Sequence, residues 1–175
     1  EVRRGMWLPN GPFRPGTPML AFTEPGKPLR LPGPMIRVPV GTRLRIGVRN
    51  TSDTTIVLRG LSDVPTDSLV LAPGATGEVR SVASAAGNRF YYGTINGRPL
   101  SIRGTEDGHL AGAIVVDAGP RDAMMERVIV ITGSFHSTDS LGRLTNAREF
   151  YVFNGRPWPT TPRLNAAIGD SLRFR

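Results

Sequence analysis

Alternating apolar and polar residues between positions 31 and 50 most constrain how this chain can fold. The segment reads LPGPMIRVPVGTRLRIGVRN, two short runs joined by the pair Gly41-Thr42. In the second run aliphatic residues alternate with arginine and glycine, so one face of a strand would be apolar and the other charged. The prolines before the first run remove backbone donors, which suits the entry to an edge strand. The segment predicts a β-hairpin whose apolar face packs on a core.

The rest of the chain shows the same pattern of short strands separated by turns. Its 175 residues include 21 glycines and 16 prolines, scattered rather than clustered. Turn signals recur roughly every 8–12 residues between β-branched or aromatic runs, the pattern of a Greek-key sandwich. The sequence therefore predicts an all-β fold, with further strands at 19–24, 54–59, 69–74, 76–84, 89–95 and 110–116.

Cysteine is absent, and this excludes several kinds of site. The chain alone can form no disulfide, cysteine-based zinc or iron–sulfur site, or thiol nucleophile. A blue-copper site needs a thiolate as well, so these residues cannot build one by themselves.

The chain is basic, with a formal net charge of +8 and Lys27 as its one lysine among 22 basic residues. Such a charge can attract an anionic partner. The arginines are spread over strands and turns without a basic run, which argues against nucleic acid as the partner. No apolar run approaches the roughly 18–20 residues that a membrane span needs, so we expect no transmembrane segment.

Several segments together resemble the multicopper oxidase family. The 31–50 segment matches the family's PGPxIRVxxGD opening, and 110–116 matches its GALIV strand. Between them, Leu71-Ala72-Pro73-Gly74 stands where the family also has a proline-glycine turn. The resemblance covers most of the chain and implies a cupredoxin-like β-sandwich.

The residues that the resemblance would make copper ligands are replaced. Where the family has HWHGL, this chain has VLRGL at 57–61, and where it has YWYHSH, this chain has FYYGTI at 90–95. The four histidine positions correspond to Val57, Arg59, Gly93 and Ile95. Valine, glycine and isoleucine offer no donor atom, and an arginine guanidinium stays protonated. We therefore expect no copper ligands and no catalysis in this chain.

The resemblance also suggests a domain organisation. We expect a first cupredoxin-like domain at 1–118, with an extended arm at 1–18 anchored by Trp7 and Phe13, and a linker at 119–125. The ending AAIGDSLRFR repeats the turn and strand of 38–50, so 126–175 would hold the opening strands of a second cupredoxin-like domain. Strands are expected there at 126–132 and 150–153. Because the sequence opens at Glu1 without methionine or signal peptide, we expect a processed form or part of a longer precursor.

Other residues with chemical potential have ordinary interpretations. His109 and His136 have no carboxylate or thiol at ligand spacing, and we expect surface or hydrogen-bonding roles for them. Ser134, His136 and Asp139 lie in one short loop without a nucleophile-elbow frame, which argues against a hydrolase triad. Loop carboxylates without calcium-loop spacing are expected to be solvated; these are Asp63, Asp67, Glu106 and Asp107.

The sequence leads to two main hypotheses for the function and to a third that has less support. The first is a non-catalytic scaffold or interaction module that binds protein partners, such as further domains or other subunits. The alternative is the N-terminal part of a copper-dependent oxidoreductase whose ligands lie beyond Arg175. The third is an anionic-polymer binder that uses the arginine face. The resemblance implies a periplasmic or extracellular location.

Overall fold

A computed structural model describes residues 1–8, 16–103, 106–119, 125–135 and 149–175. Apart from one 3-10 turn at Leu100–Ile102, every regular element in these ranges is a strand, and they contain no helix able to cross a membrane. The strands are β1 (Val2–Trp7), β2 (Thr17–Phe22), β3 (Ile36–Pro39), β4 (Arg43–Arg49), β5 (Ile56–Arg59), β6 (Ser68–Leu71), β7 (Thr76–Val82), β8 (Gly87–Ile95), β9 (Ala111–Asp117), β10 (Met125–Arg127), β11 (Ile131–Phe135), β12 (Glu149–Phe153) and β13 (Leu172–Phe174).

Two sheets face each other across the main core. One has five strands in the order β3-β9-β8-β5-β6, and the other is the antiparallel pair β4-β7. Apolar side chains of the large sheet, such as Leu58 and Ile114, form one buried cluster with Val48 of β4, and Ile46 and Val79 of the small sheet pack against it. Burial of these alternating residues removes apolar surface from water, which favours folding. The predicted all-β sandwich is confirmed.

The strands on either side of Gly41 belong to different sheets. β3 pairs in parallel with β9, whereas β4 pairs antiparallel with β7. Gly41 has a φ of 85°, and its N–H donates to the carbonyl of Ala83, so the chain crosses between the sheets here. The predicted hairpin is therefore wrong, although both strands exist. Alternation identifies which face of a strand is buried, but it does not identify the strand's neighbour.

The first strands form a hairpin that contributes to two clusters. β1 pairs antiparallel with β2 from Val2 to Trp7, and Val2 is fully buried, so residues 2–7 form part of the sheet structure. Along β2, Leu20 lies in the main core. The residues on either side of it, Met19 and Ala21, lie in a second cluster with Trp7 and Val152 of β12. Phe13 falls outside the described residues.

The strand predicted at 126–132 is split into β10 and β11. β10 pairs in parallel with β13, and β11 pairs antiparallel with β12. Between β10 and β11, the Asn154 side chain accepts from the Val130 N–H at 2.9 Å and donates to the Val128 carbonyl at 3.0 Å. These side-chain bonds satisfy backbone groups that a continuous ladder would otherwise pair, so the strand changes partner here.

The repeated turn near the end of the sequence appears in the structure with a different neighbour. Gly169 has a φ of 95°, close to the 85° of Gly41, and a short strand follows each turn. However, β4 pairs antiparallel with β7, whereas β13 pairs in parallel with β10. The similarity is therefore one of turn and strand, not of strand pairing.

Charged residues join the sandwich to the 125–175 segment. The Arg37 guanidinium makes two hydrogen bonds of 2.7 Å to Asp117 and also contacts Glu126. Glu126 is contacted in turn by Arg175, which donates to Asn88 at 2.9 Å. Hydrogen bonds from Arg175 and Arg37 lower the pKa of Glu126, so its carboxylate stays ionised between the two guanidinium groups.

Candidate functional site

The four positions that correspond to family ligands divide between the two faces of the large sheet. In the β5–β8 ladder, Val57 lies opposite Thr94, and Arg59 lies opposite Tyr92. Directly opposed residues of antiparallel strands point to the same face. Val57 and Arg59 therefore belong to the face turned away from β4-β7, here called the outer face. Gly93 and Ile95, the other two positions, belong to the inner face, and the structure does not bring all four together.

The inner pair is part of the packed core. A Cβ added at Gly93 would lie 2.4 Å from Leu110 Cδ2, so a side chain there requires Leu110 to move. Ile95 is half-buried and packs against the main cluster. Its backbone N–H donates to the carboxylate of Asp107 at 2.9 Å. These positions have a packing role.

The outer pair is at least partly shielded from solvent. Val57 is buried, and the turn at Gly97 approaches it, since a Cβ at Gly97 would be 3.3 Å from Val57 Cγ2. Thr94 is only 1% exposed, and its hydroxyl has no hydrogen-bond partner within the described ranges. Arg59 is half-buried, and no carboxylate lies within salt-bridge distance of it in those ranges.

An aromatic ring and a cation contact Tyr92, which lies opposite Arg59 on the outer face. The Phe90 and Tyr92 rings stack with centroids 5.1 Å apart and an interplanar angle of 26°. The Arg103 guanidinium lies 5.4 Å from the Tyr92 ring centroid and donates to the Leu110 carbonyl at 3.1 Å. Burial lowers the pKa of Arg103, yet a guanidinium remains charged at neutral pH. Tyr92 thus lies between the Phe90 ring of its own strand and the Arg103 guanidinium.

Several apolar side chains close to Val57 and Tyr92, or next to Arg103, remain exposed to solvent. Val70 of β6 is 62% exposed and Phe90 is 47% exposed. Ile102, next to the Arg103 that covers Tyr92, is 62% exposed. We call this set the outer patch, and it consists of Arg59, Val70, Phe90, Tyr92 and Ile102.

The side chains of the outer patch are of the kinds that recognise other molecules. Among the described residues, no three His, Cys, Asp or Glu side chains form a group that could hold a metal ion. Of the four positions that correspond to family ligands, Val57, Gly93 and Ile95 supply no side-chain donor atom, and Arg59 supplies only protonated nitrogen. Aromatic rings beside an arginine are instead the groups enriched where proteins bind each other.

The predicted roles of the histidines and the triad can be compared only in part with the structure. His109 is buried beside Trp7, with ring centroids 4.6 Å apart, and its Nδ1 lies 2.8 Å from Thr132 Oγ1. It is therefore a hydrogen-bonding residue inside the protein rather than at a sandwich edge. Ser134 belongs to β11, whereas His136 and Asp139 lie outside the described residues.

The loop carboxylates are less solvated than expected. Asp107 is fully buried, and Asp67 alone of the four is exposed, as predicted. Glu106 pairs with Arg4 at 2.9 Å. The Asp63 carboxylate accepts hydrogen bonds from the hydroxyl and the backbone N–H of Ser84, and it forms an ion pair with Arg89. The pKa of Asp63 is lowered, mainly by the two bonds from Ser84. The expectation of solvation is wrong for Asp107, because backbone and guanidinium donors compensate its burial.

The outward direction of the aromatic pair could be read from the sequence only in part. Phe90 and Tyr92 are two residues apart, so a strand places them on one face, and Tyr91 on the other. Tyr91 is indeed buried and donates to the Pro34 carbonyl at 2.6 Å. The contact of Arg103 with Tyr92 has no local signal, because it depends on how the 96–103 turn folds over the sheet.

Comparison with solved structures identifies the fold. The blue copper oxidase from Nitrosomonas europaea aligns with a TM-score of 0.68 over 99% of this chain and 57% of its own, at 15% identity. The copper nitrite reductase from the same organism aligns with a TM-score of 0.61 over 88% of this chain and 61% of its own, at 23% identity. Lac15 from a marine microbial metagenome aligns with a TM-score of 0.61 over 99% of this chain and 44% of its own, at 22% identity. The chain therefore has a cupredoxin-like fold, as in multicopper oxidases and copper nitrite reductase.

Sequence comparison adds no family assignment. No protein-family model and no curated protein matches the chain. The chain spans less than two thirds of each of the three structures above.

Proposed function

We propose that this chain is a non-catalytic, cupredoxin-like scaffold of multicopper oxidase ancestry, and that its outer patch binds another protein. The observation that carries this proposal is the outward pair of Arg59 and Tyr92. They lie directly opposite each other on the face where the resemblance would place a ligand pair. Exposed Val70 and Phe90 lie beside them. A partner with an apolar segment and a carboxylate would bury these side chains and pair with the guanidinium.

The absence of copper ligands is the other part of the proposal. Val57, Arg59, Gly93 and Ile95 would leave this chain without its share of a copper cluster, so any copper would be held by a downstream domain. The test is copper content after the purified chain is equilibrated with Cu(I) and Cu(II) and then desalted. We expect no stoichiometric copper by mass spectrometry. One copper per chain would refute this part.

The partner proposal has its own test. A photo-crosslinking amino acid is placed at position 90 in the producing cells, and a second chain carries it at exposed Val64 as the control. We expect one discrete protein adduct from position 90 that disappears when Arg59→Glu is added. Adducts that are the same from both positions, or that persist in Arg59→Glu, would contradict a specific role for the outer patch.

The alternative is the N-terminal part of a copper-dependent oxidoreductase whose ligands lie beyond Arg175. Its support is that the similar structures are named as copper enzymes and that this chain spans 57% of the blue copper oxidase. Intact mass and copper content of the natural protein separate the two functions. A mass well above 18.9 kDa with bound copper would favour the oxidoreductase. A periplasmic or extracellular location is proposed with either function.

A further inference from the structure

The β4-β7 pair presents a row of arginines on the side of the sandwich opposite the outer patch. Arg43, Arg45 and Arg49 project from β4, and Arg80 projects from β7. Their neighbours Leu44, Ile46 and Val79 point inward and pack against the main core. All four arginines are exposed, and we call them the arginine face.

The arginine face is only partly neutralised. Arg45 lies directly opposite Arg80, an arrangement of like charges that is unfavourable by itself. Glu78 contacts Arg45 and accepts from Arg80 Nε at 2.6 Å, and these bonds lower the pKa of Glu78. Within the described part of the chain, neither Arg43 nor Arg49 has a carboxylate in salt-bridge distance. The four guanidinium groups are therefore balanced by one carboxylate, which two of them share.

The spacing of the arginine face is fixed by strand geometry. Residues two apart on a strand are roughly 6.7 Å apart, so Arg43 and Arg45 are neighbours and Arg49 lies about 13 Å beyond Arg45. No Cβ interrupts this row at Gly47, which faces open space. The result is a row of cations along one strand with a gap at Gly47, and each guanidinium can bind a carboxylate or sulfate through two hydrogen bonds.

We propose that the arginine face binds a linear anionic polysaccharide. Such a polymer carries carboxylate or sulfate groups at each repeating unit, so successive groups can pair with successive arginines along β4. The polymer needs no apolar pocket, and Val82 is the one exposed aliphatic side chain that this pair of strands adds to the face. This site lies on the opposite side of the sandwich from the outer patch and does not depend on the proposed protein partner.

Other anionic partners fit the arginine face less well. A protein partner would need an apolar contact core, which is lacking here. Single-stranded nucleic acid is bound through aromatic stacking platforms, and β4 and β7 contain no aromatic residue. A membrane-surface segment inserts large apolar side chains among the headgroups, and this face has none.

The experiment measures binding of fluorescent heparin and alginate oligosaccharides to the full chain at low salt. The test variant is Arg43→Glu/Arg49→Glu, and the control is Arg156→Glu/Arg163→Glu, which makes the same charge change at two exposed arginines elsewhere. We expect the test variant to weaken binding by at least about tenfold and the control by no more than about twofold. The variant Glu78→Gln should strengthen binding, because it removes the one competing carboxylate.

Several results would overturn the proposal. Equal losses in both double variants would mean that net charge alone attracts the polymer. Tighter binding to duplex DNA or to phosphatidylglycerol vesicles at the same salt would identify a different partner class. If the chain binds neither heparin nor alginate oligosaccharides, the proposal is also wrong. If Arg43→Glu/Arg49→Glu does not fold by circular dichroism, Arg43→Gln/Arg49→Gln replaces it with the same expected loss.

Discussion

The carboxylate of Asp107 accepts a hydrogen bond of 2.9 Å from the Ile95 backbone N–H, although Asp107 is fully buried. Arg98 Nε lies 3.5 Å from the same carboxylate oxygen. Asp107 thus connects to the end of β8 and to Arg98, which follows the Gly97 turn beside Val57. We expect the position of this turn to depend on the buried carboxylate.

Replacing Asp107 should destabilise the protein strongly. In Asp107→Ala, the Ile95 N–H and the Arg98 guanidinium lose their buried acceptor, and we expect the free energy of unfolding to fall by about 3 kcal/mol. Urea unfolding measures this change. Exposed Asp67→Ala is the control, with an expected change within about 0.5 kcal/mol. Equal effects of the two substitutions would contradict a structural role for the buried carboxylate.

Stability should depend on pH through Asp63. Because bonds from Ser84, and then Arg89, lower the pKa of Asp63 in the folded chain, the ionised carboxylate adds stability above the unfolded value of about 3.9. That contribution is lost as the pH falls through the folded value. We expect wild type to be more stable than Asp63→Asn at pH 6, and the difference to shrink below about pH 4. Ser84→Ala should reduce the same pH-dependent difference; a difference that does not vary with pH would contradict this assignment.

Gly112 should tolerate no side chain. It lies opposite Tyr91, and a Cβ there would be 2.3 Å from the Tyr91 hydroxyl oxygen. Burial raises the pKa of Tyr91, so this hydroxyl stays protonated and donates to Pro34. We expect Gly112→Ala to lower the free energy of unfolding by about 1–3 kcal/mol through displacement of the ring. Gly47→Ala, in open space on β4, should not destabilise; equal losses would contradict the ring clash.

A designed histidine pair would test the β5–β8 register. Arg59 and Tyr92 are directly opposed, with Cβ atoms about 5 Å apart, so Arg59→His/Tyr92→His should place two imidazoles within reach of one Cu(II) ion. We expect copper at 100 times its dissociation constant to stabilise this double variant by about 2.7 kcal/mol in thermal unfolding. The two single variants serve as controls. Stabilisation of either single variant to the same extent would contradict the register.

The positions of most strands could be predicted from the sequence, but their partners could not. Alternation located β4, and the aromatic run located β8, because each pattern is local. The crossing at Gly41 and the change of partner after β10 depend on distant groups, such as Ala83 and Asn154. No local pattern carries that information.

For the candidate site, too, the sequence identified positions but not their arrangement in the sheet. Sequence matching pointed to Val57, Arg59, Gly93 and Ile95, and the ladder assigns these positions to opposite faces. A face follows from strand register, which an aligned motif does not contain. The outer patch could therefore be recognised only after Tyr92 was seen opposite Arg59.

Strand β2 has a consequence for the unfolding transition. Leu20 lies in the main core, whereas Met19 and Ala21 lie in the cluster with Trp7 and Val152. If β2 detached, both clusters would be exposed to water at once, so they should melt in one cooperative step. Trp158 is 86% exposed, so a change in buried tryptophan emission comes mainly from Trp7. Fluorescence from this one indole should therefore report the loss of the distant β4-β7 packing as well.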